Sequence, residues 1–446
     1  MTMKSSKYLY LLSLLCLCFS LVPVSRSLAL SLDECVALAL RNNPELHKQQ
    51  LQLDASHIDI SEQKGQQFGR LELVSSYTHY NLPHTLAPLT PGSIIANPTA
   101  VPTTEDLFTT GIIYEVSLFT GFAHTSSIEV AKLQKELAAA ALKLSREQLV
   151  YNVKTLYVQI LSLQAQELAQ RAYVESLRQL YEQVSRELQL GQKARIDQLK
   201  TAADLGNART AEAQISANIS ILKASLASLL DIDQIPPLAE IELTQEAMTT
   251  VDDDFSSQIS DSQRLRSARL VIDKNARLAD KVAASLYPQI VLNTSYGQNF
   301  GPNDSSHRDS GDWNNQEVWQ AGLVLRWNLF DFDSTRSKMK KARIIEQQSR
   351  YEQTQTELEL KRAITEAVTR INIAVNVYRS SRSELEMTRQ TAAIEQVRFD
   401  QGAASINDLL YARARNQLAE SRFIDAGYSY KIANFHLEYL LESGEK

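Results

Sequence analysis

An internal repeat constrains the fold of this chain more than any other feature of its sequence. The segment 118–122 (LFTGF) resembles 329–333 (LFDFD), and Phe119 and Phe330 are 211 positions apart. The pairs Gly191/Gly402 and Asp197/Asp408 keep the same spacing. Halves of this length far exceed the roughly 20–50 residues of a solenoid repeat. The sequence therefore predicts two copies of one domain, 30–235 and 256–446, joined by a linker or equatorial segment at 236–255.

Each half predicts the same order of elements. A moderate helix is followed by two short strands with a loop between them, then by a very long helix and a shorter one. The strands are expected at about 71–80 and 110–119 in the first half and at about 290–299 and 318–328 in the second. The long helices are expected at 123–190 and 334–400, and the shorter ones at 194–230 and 404–441.

The four strand segments alternate between apolar and polar residues. Each is about as long as the 9–11 residues that a tilted strand needs to cross a bilayer. Aromatic side chains of membrane strands collect at the two lipid–water interfaces. We therefore expect Tyr77, Tyr296, Trp319 and Trp327 to form an aromatic girdle. Core packing is the alternative for the two tryptophans.

The long helices have heptad spacing, as in Leu149, Val153, Leu156 and Ile160. A seam of this kind is typical of a packed helix pair or coiled coil. At 1.5 Å per residue such a helix is roughly 100 Å long.

The predicted fold class is mainly α with a β-barrel portion, in which a coiled-coil helical barrel accompanies four membrane strands per protomer. Four strands are too few for a closed membrane barrel, since the smallest have about eight, so the chain must assemble with copies of itself.

The first residues predict an export signal at 1–29. Lys4 and Lys7 precede an apolar run, and small residues up to Ala29 suit a cleavage site. No later stretch approaches 18 apolar residues, so a membrane span would have to be made of strands. Once the leader is removed, Cys35 stands alone and no internal disulfide can form.

Composition and motifs exclude several classes of function. The formal net charge of -6 speaks against a nucleic-acid partner. Neither a phosphate-binding glycine loop nor a Gly-x-Ser-x-Gly elbow is present. The histidines are scattered, and the acidic run 252–254 is read as a solvated linker in preference to a cation site. The sequence predicts no enzyme, no cofactor and no metal site.

Three motifs carry a family resemblance. Segment 31–40 (SLDECVALAL) with 42–46 (NNPEL), the pair Tyr287-Pro288, and the turn 402–410 together resemble the TolC family of outer-membrane efflux proteins. The resemblance implies a homotrimer in outer-membrane lipid whose helical barrel extends into the periplasm. It also implies a periplasmic adaptor (membrane fusion) protein and an inner-membrane pump of the RND, ABC or MFS type. In the first half Phe68-Gly69 replaces the Tyr-Pro pair, so we expect a different bend there.

The resemblance places the periplasmic entrance, or tip, at the turns between long and short helices. Gly191 and Gly402 suit helix C-caps, and Asp197 and Asp408 suit the first turn of the next helix. Alternatively, Asp408 forms an acidic ring in the trimer that attracts cations. Where some relatives have a second acidic residue and a bracing arginine, this chain has Tyr411 and Ala404.

The function implied is a passive exit duct of a tripartite efflux or type I secretion system. Drugs, metal cations and unfolded polypeptides all remain open as cargo. The alternative is an exported coiled-coil structural or adhesive protein without a transport role, which would explain the heptads and the leader but not the duplicated hairpins.

Overall fold

The structure is a computed structural model that describes residues 29–96, 101–242, 255–302 and 312–444. The predicted signal peptide lies outside the described residues except for Ala29, and so does the acidic run 252–254. The described chain is mostly helical with one small antiparallel sheet, which confirms the predicted fold class.

The elements follow the predicted order in both halves, except that two helices replace the single first helix of each half and a short helix lies in the loop of the first hairpin. The first half contains α1 (Leu32–Asn42), α2 (Pro44–Gly65), β1 (Arg70–Thr85), α3 (Pro91–Ala96), β2 (Thr103–Phe119), α4 (Ala123–Gln189) and α5 (Arg195–Leu230). The second contains α6 (Ser256–Asp261), α7 (Gln263–Ala283), β3 (Gln289–Pro302), β4 (Trp313–Arg326), α8 (Ser334–Asp400) and α9 (Ile406–Leu440).

The two long helices repeat one another residue by residue. Helices α4 and α8 each have 67 residues, and neither contains Gly or Pro, the two residues that most disfavour a helix interior. Positive φ angles mark the same turns in both halves at a spacing of 211 positions: Gly121 and Phe332, Phe122 and Asp333, Gly191 and Gly402, Asp231 and Glu442. The duplication therefore extends to the backbone conformation of the turns.

The four strands form one sheet in the order β1-β2-β3-β4, with every pair antiparallel. All four strands begin before the residues that the apolar–polar alternation predicts, and β1 and β3 also end after them. Strand β4 ends at Arg326, so Trp327 follows the strand although the sequence places it inside. The outer edges of β1 and β4 have no strand partner in the described part of the chain.

The bends that lead into the two hairpins differ, as the sequence predicts. A 3₁₀ turn, Gln66–Phe68, precedes Gly69, whose φ is 75°. The turn Ala284–Leu286 precedes Tyr287 at φ -93° and ψ 154°. Pro288 restricts the residue before it to extended backbone, whereas Gly69 reaches the left-handed region. A Cβ at Gly69 would lie 2.1 Å from the Glu115 carbonyl oxygen, so no other residue fits there.

The chain divides into two compact units, each drawn from both halves. Among the described residues, one contains 29–44, 146–242 and 363–444, and the other contains 45–96, 101–145, 255–302 and 312–362. In the first unit, α4, α5, α8 and α9 share a buried core that includes Leu177, Leu205, Phe399 and Leu409. The second unit contains the sheet.

Helix α1 begins with a capping box in which Ser31 and Glu34 bond to each other's backbone. Cys35 on this helix is fully buried, as expected for a small apolar side chain. Burial raises the pKa of its thiol to about 12.

Length and composition alone would allow one described helix, Arg195–Leu230, to cross a membrane. Helices of protein cores pass the same test, and 22% of the apolar window of this helix is buried within the chain.

Candidate functional site

The two predicted tip turns have the same backbone structure. After α4, the Gly191 amide donates to the Leu188 carbonyl at 3.0 Å and the Gln192 amide to Glu187 at 2.8 Å. After α8, Gly402 donates to Phe399 at 2.9 Å and Ala403 to Arg398 at 2.7 Å. This is the Schellman pattern, which requires a left-handed residue, and Gly191 and Gly402 have φ angles of 77° and 74°.

The carboxylates after the two turns differ in their contacts. Asp197 and Asp408 are each the third residue of their helix. Asp408 Oδ2 accepts from the Ser405 amide at 3.0 Å and from its hydroxyl at 2.7 Å, which completes a capping box. The corresponding N-cap of α5 is Ala194, whose side chain cannot cap. Only the second copy of the turn therefore fixes its acidic side chain.

Asp408 combines a structural bond with an available charge. Its hydrogen bonds with Ser405 lower the pKa of the carboxyl from its ordinary value of 3.8. Both bonds use Oδ2, and Oδ1 meets no donor in the described part of the chain. Capping and cation attraction are therefore compatible in this side chain.

Basic side chains lie beside Asp408. A cavity of about 450 Å³ is lined by Asp408, Arg398, Arg415 and Tyr411, among others. Arg415 donates to the Tyr411 hydroxyl at 3.0 Å and stacks over its ring. Position 411 thus presents a phenol held by arginine in place of a second carboxylate.

A buried polar layer joins three helices of this unit. The Gln417 amide of α9 donates to Gln170 of α4 at 3.0 Å, and the Gln170 amide donates to the Ala208 carbonyl of α5 at 2.9 Å. Near this layer, Arg413 donates to the Ser176 carbonyl at 3.0 Å and to the Gln396 side chain. Sequence reasoning missed this layer, although Glu167 and Gln170 interrupt the apolar heptad seam with two polar residues, which was the available signal.

The sheet has one apolar and one polar face. Directly opposite residues share a face, so the apolar face contains Leu71, Leu73 and Tyr77 of β1 together with their cross-strand partners. Exposed apolar side chains on it include Ile112, Tyr296, Trp319, Leu323 and Leu325.

The four predicted girdle residues lie in three different places, two on the sheet and one after its last strand. Tyr77 belongs to an aromatic cluster with Phe108, Phe300 and Trp313, in which ring centroids are 4.8–5.4 Å apart for Tyr77–Phe108, Phe108–Phe300 and Phe108–Trp313. Tyr296 and Trp319 are directly opposite each other in mid-strand. Trp327 lies past β4 and donates to the Leu286 carbonyl at 3.0 Å. The other cluster members were missed because the strands extend further than the alternation indicates.

The opposite face of the sheet carries charge. Arg70 lies 3.4 Å from Glu72 and 3.8 Å from Glu115. Asn293, Gln320 and Arg326 are on the same face. One face thus suits lipid and the other suits water.

Comparison with known proteins agrees with this architecture. The sequence profile of the family described as "Outer membrane efflux protein" matches residues 35–231 and 256–442, well over half of the chain. A sequence search of curated proteins finds no relative.

Solved structures share the fold at low sequence identity. A membrane protein from Pseudomonas aeruginosa superposes with a TM-score of 0.78 at 18% identity, covering 92% of this chain and 90% of the other. The outer membrane protein VceC from Vibrio cholerae gives 0.74 at 15%, covering 93% and 97%. The CmeC outer membrane channel of Campylobacter jejuni gives 0.75 at 16%, covering 93% and 86%.

The family match and the shared fold both support an outer-membrane exit duct and confirm the resemblance inferred from the sequence. The chain belongs to the outer membrane efflux protein family.

Proposed function

We propose that this chain is one protomer of a homotrimeric duct that passively conducts substrates out through the outer membrane. The observation that carries the proposal is the four-stranded sheet, which has one apolar face and two edges that no strand in the described part of the chain pairs. In lipid, each unsatisfied backbone group costs several kcal/mol. Pairing β4 of one copy with β1 of the next removes both edges.

The number of copies follows from the size of the barrel. Two copies would give about eight strands, a barrel whose interior is filled by side chains. Three copies give about twelve and leave room for a lumen. The charged face with Arg70, Glu72 and Glu115 would line that lumen, and the face with Leu73, Trp319 and others would contact lipid.

The helical segments would form the periplasmic part of the duct. We propose an export leader at 1–29, two repeats at 30–235 and 256–446, and a connecting segment at 236–255; the two matched stretches support this division. The tip would comprise Gly191, Gly402, Asp197 and Asp408. Tyr77, Tyr296, Trp319 and Trp327 would lie within the membrane portion.

The duct would receive its cargo from a periplasmic adaptor and an inner-membrane pump, in a tripartite efflux or type I secretion system. The pump would supply the energy, because a passive tunnel needs no catalytic group of its own. Structural neighbours described as outer membrane channels, such as CmeC of Campylobacter jejuni and MtrE of Neisseria gonorrhoeae, support the channel part of this role.

The test is to isolate the full-length protein from outer membranes in mild detergent. We expect a particle with three times the protomer mass that forms conducting channels in planar lipid bilayers. A soluble periplasmic monomer that never conducts would refute the duct and favour an exported coiled-coil structural protein.

A further inference from the structure

The free edges of the sheet also specify how two copies pair. We infer that β4 of one copy pairs with β1 of the next copy in the register that places Arg326 opposite Glu72. This inference rests on the proposed function, since it requires that the sheet closes through neighbouring copies. The regular part of β1 is Arg70–His79, because its pairing with β2 becomes irregular after His79.

The faces of the strands limit the choice of register. Odd-numbered residues of β1, such as Leu73, lie on the apolar face, and so do odd-numbered residues of β4, such as Leu323. A slip of one residue would move every side chain to the other face. Arg326 must therefore be opposite an even-numbered residue in the regular part of β1: Arg70, Glu72, Val74 or, at still larger shifts, Ser76 or Thr78.

The strand tilt narrows the choice to two. The observed pairings connect Arg70 through Glu115 and Asn293 to Gly322, four residues before the end of β4. If Arg326 is opposite Arg70, the register shifts by four residues per copy; opposite Glu72 it shifts by six. With about 3.3 Å per residue and about 4.8 Å between the four strands of each copy, these shifts give tilts of about 35° and 46°. These two values match the two ends of the usual range of barrels, about 35–45°, whereas Val74 would require about 54°.

Charge decides between the two remaining registers. Like charges directly opposite each other destabilise a sheet, and the first register would place Arg326 against Arg70. It would also place Val324 against Glu72. The second register pairs Arg326 with Glu72 and Val324 with Val74.

Arg326 makes no ion pair with the described residues of its own chain, whereas Arg70 already contacts Glu72 and Glu115. The second register therefore builds a neutral cluster of two arginines and two glutamates at every seam. Contacts between opposite side chains on the apolar face affect the choice of register little, because lipid chains make such contacts almost equally well.

Engineered cysteines in the full-length protein test the register. Directly opposite residues have Cα atoms about 4.5–5.5 Å apart, which a disulfide can bridge, whereas diagonal neighbours at about 7–8 Å are too distant. Ser75→Cys with Leu323→Cys and Ser76→Cys with Gly322→Cys report the Glu72 register. Ser75→Cys with Ala321→Cys and Ser76→Cys with Gln320→Cys report the Arg70 register. Ser75→Cys alone controls for Cys35.

We expect oxidation in isolated outer membranes to link copies covalently with the first two pairs and not with the second two. Crosslinking by the second set only, or by neither set in protein that still has trimeric mass and conducts, would overturn the register and leave the proposed function intact. Protein that forms no trimer would instead refute the proposed function. A charge exchange gives a second measurement: Glu72→Arg alone should reduce trimer yield, and adding Arg326→Glu should restore it.

Discussion

At the scale of single residues, Asp408 shows how one carboxylate can serve the helix and the proposed channel together. Oδ2 is held by Ser405 while Oδ1 remains available. We predict that Asp408→Asn weakens the block of single-channel current by multivalent cations. The asparagine still accepts the Ser405 bonds, so the helix start survives while a charge is lost from each copy. Unchanged block would leave Asp408 as a helix cap only.

The pH dependence of the block separates the two roles. Hydrogen bonds with Ser405 lower the pKa of Asp408, so the carboxylate stays ionised until the pH falls below the ordinary value of 3.8. Block should therefore persist to mildly acidic pH and disappear as the pH falls through the lowered pKa. Ser405→Ala keeps the charge and removes only the hydroxyl bond, the larger of the two causes, because the backbone amide at position 405 still donates to Asp408. It should therefore keep the block at neutral pH and move its loss part of the way to higher pH.

At the scale of elements, the tip turn depends on backbone conformation and not on packing. Gly402 has a φ of 74°, and a Cβ there would meet nothing within 4 Å. We predict that Gly402→Ala destabilises the turn by about 1–2 kcal/mol, the cost of a left-handed L-residue. Gly206→Ala is the matched control, because its Cβ also enters open space but lies within a helix. That change should stabilise its surroundings by roughly 0.5–1 kcal/mol.

Hydrogen exchange of the amides around each glycine measures both effects. Protection should fall near Gly402 and rise near Gly206. A change in the same direction at both sites would contradict a conformational origin.

Elements were predictable where local sequence determines them. Helix α8 spans 334–400 as predicted, because an uninterrupted heptad pattern lies between turns with clear signals. Strand β4 begins at Trp313, before the predicted 318, because its first residue is determined by pairing with Pro302 on strand β3. Gln170 has an apolar-seam position in the sequence, and only the assembled helices show that Gln417 is its partner. Asp408 could be located from the repeat, but its arginine-rich surroundings could not.

At the scale of the molecule, residues 147–157 of α4 contact segments from both ends of the described chain. Leu30 pairs with the segment between the halves, donating to the Pro237 carbonyl at 2.8 Å and accepting from the Ala239 amide at 3.0 Å. Glu147 and Lys154 bind the backbone of Gly444 at 3.0 and 2.9 Å. The two halves are therefore held together by contacts as well as by the covalent connection.

Tyr157 is the centre of this arrangement. Its hydroxyl lies 2.8 Å from the Leu30 carbonyl and 2.7 Å from the Ala239 carbonyl, and its side chain is fully buried. Burial raises its pKa to about 12, so the phenol keeps its proton at neutral pH and donates to one carbonyl or the other.

We predict that Tyr157→Phe loosens the described N-terminal segment and the connection between the halves. The Leu30 carbonyl keeps its bond from the Ala239 amide, whereas the Ala239 carbonyl would lose the bond from the phenol. A carbonyl that loses its donor away from water costs about 1–3 kcal/mol, so limited proteolysis should cleave more rapidly within 236–242 and near residue 30. Tyr151→Phe is the matched control on the same helix, because the Tyr151 ring stacks on Tyr439 at 5.1 Å while its hydroxyl has no hydrogen bond in the described part of the chain. Equal cleavage rates in the two variants would show that packing of the Tyr157 ring alone, and not its hydroxyl, holds these segments to α4.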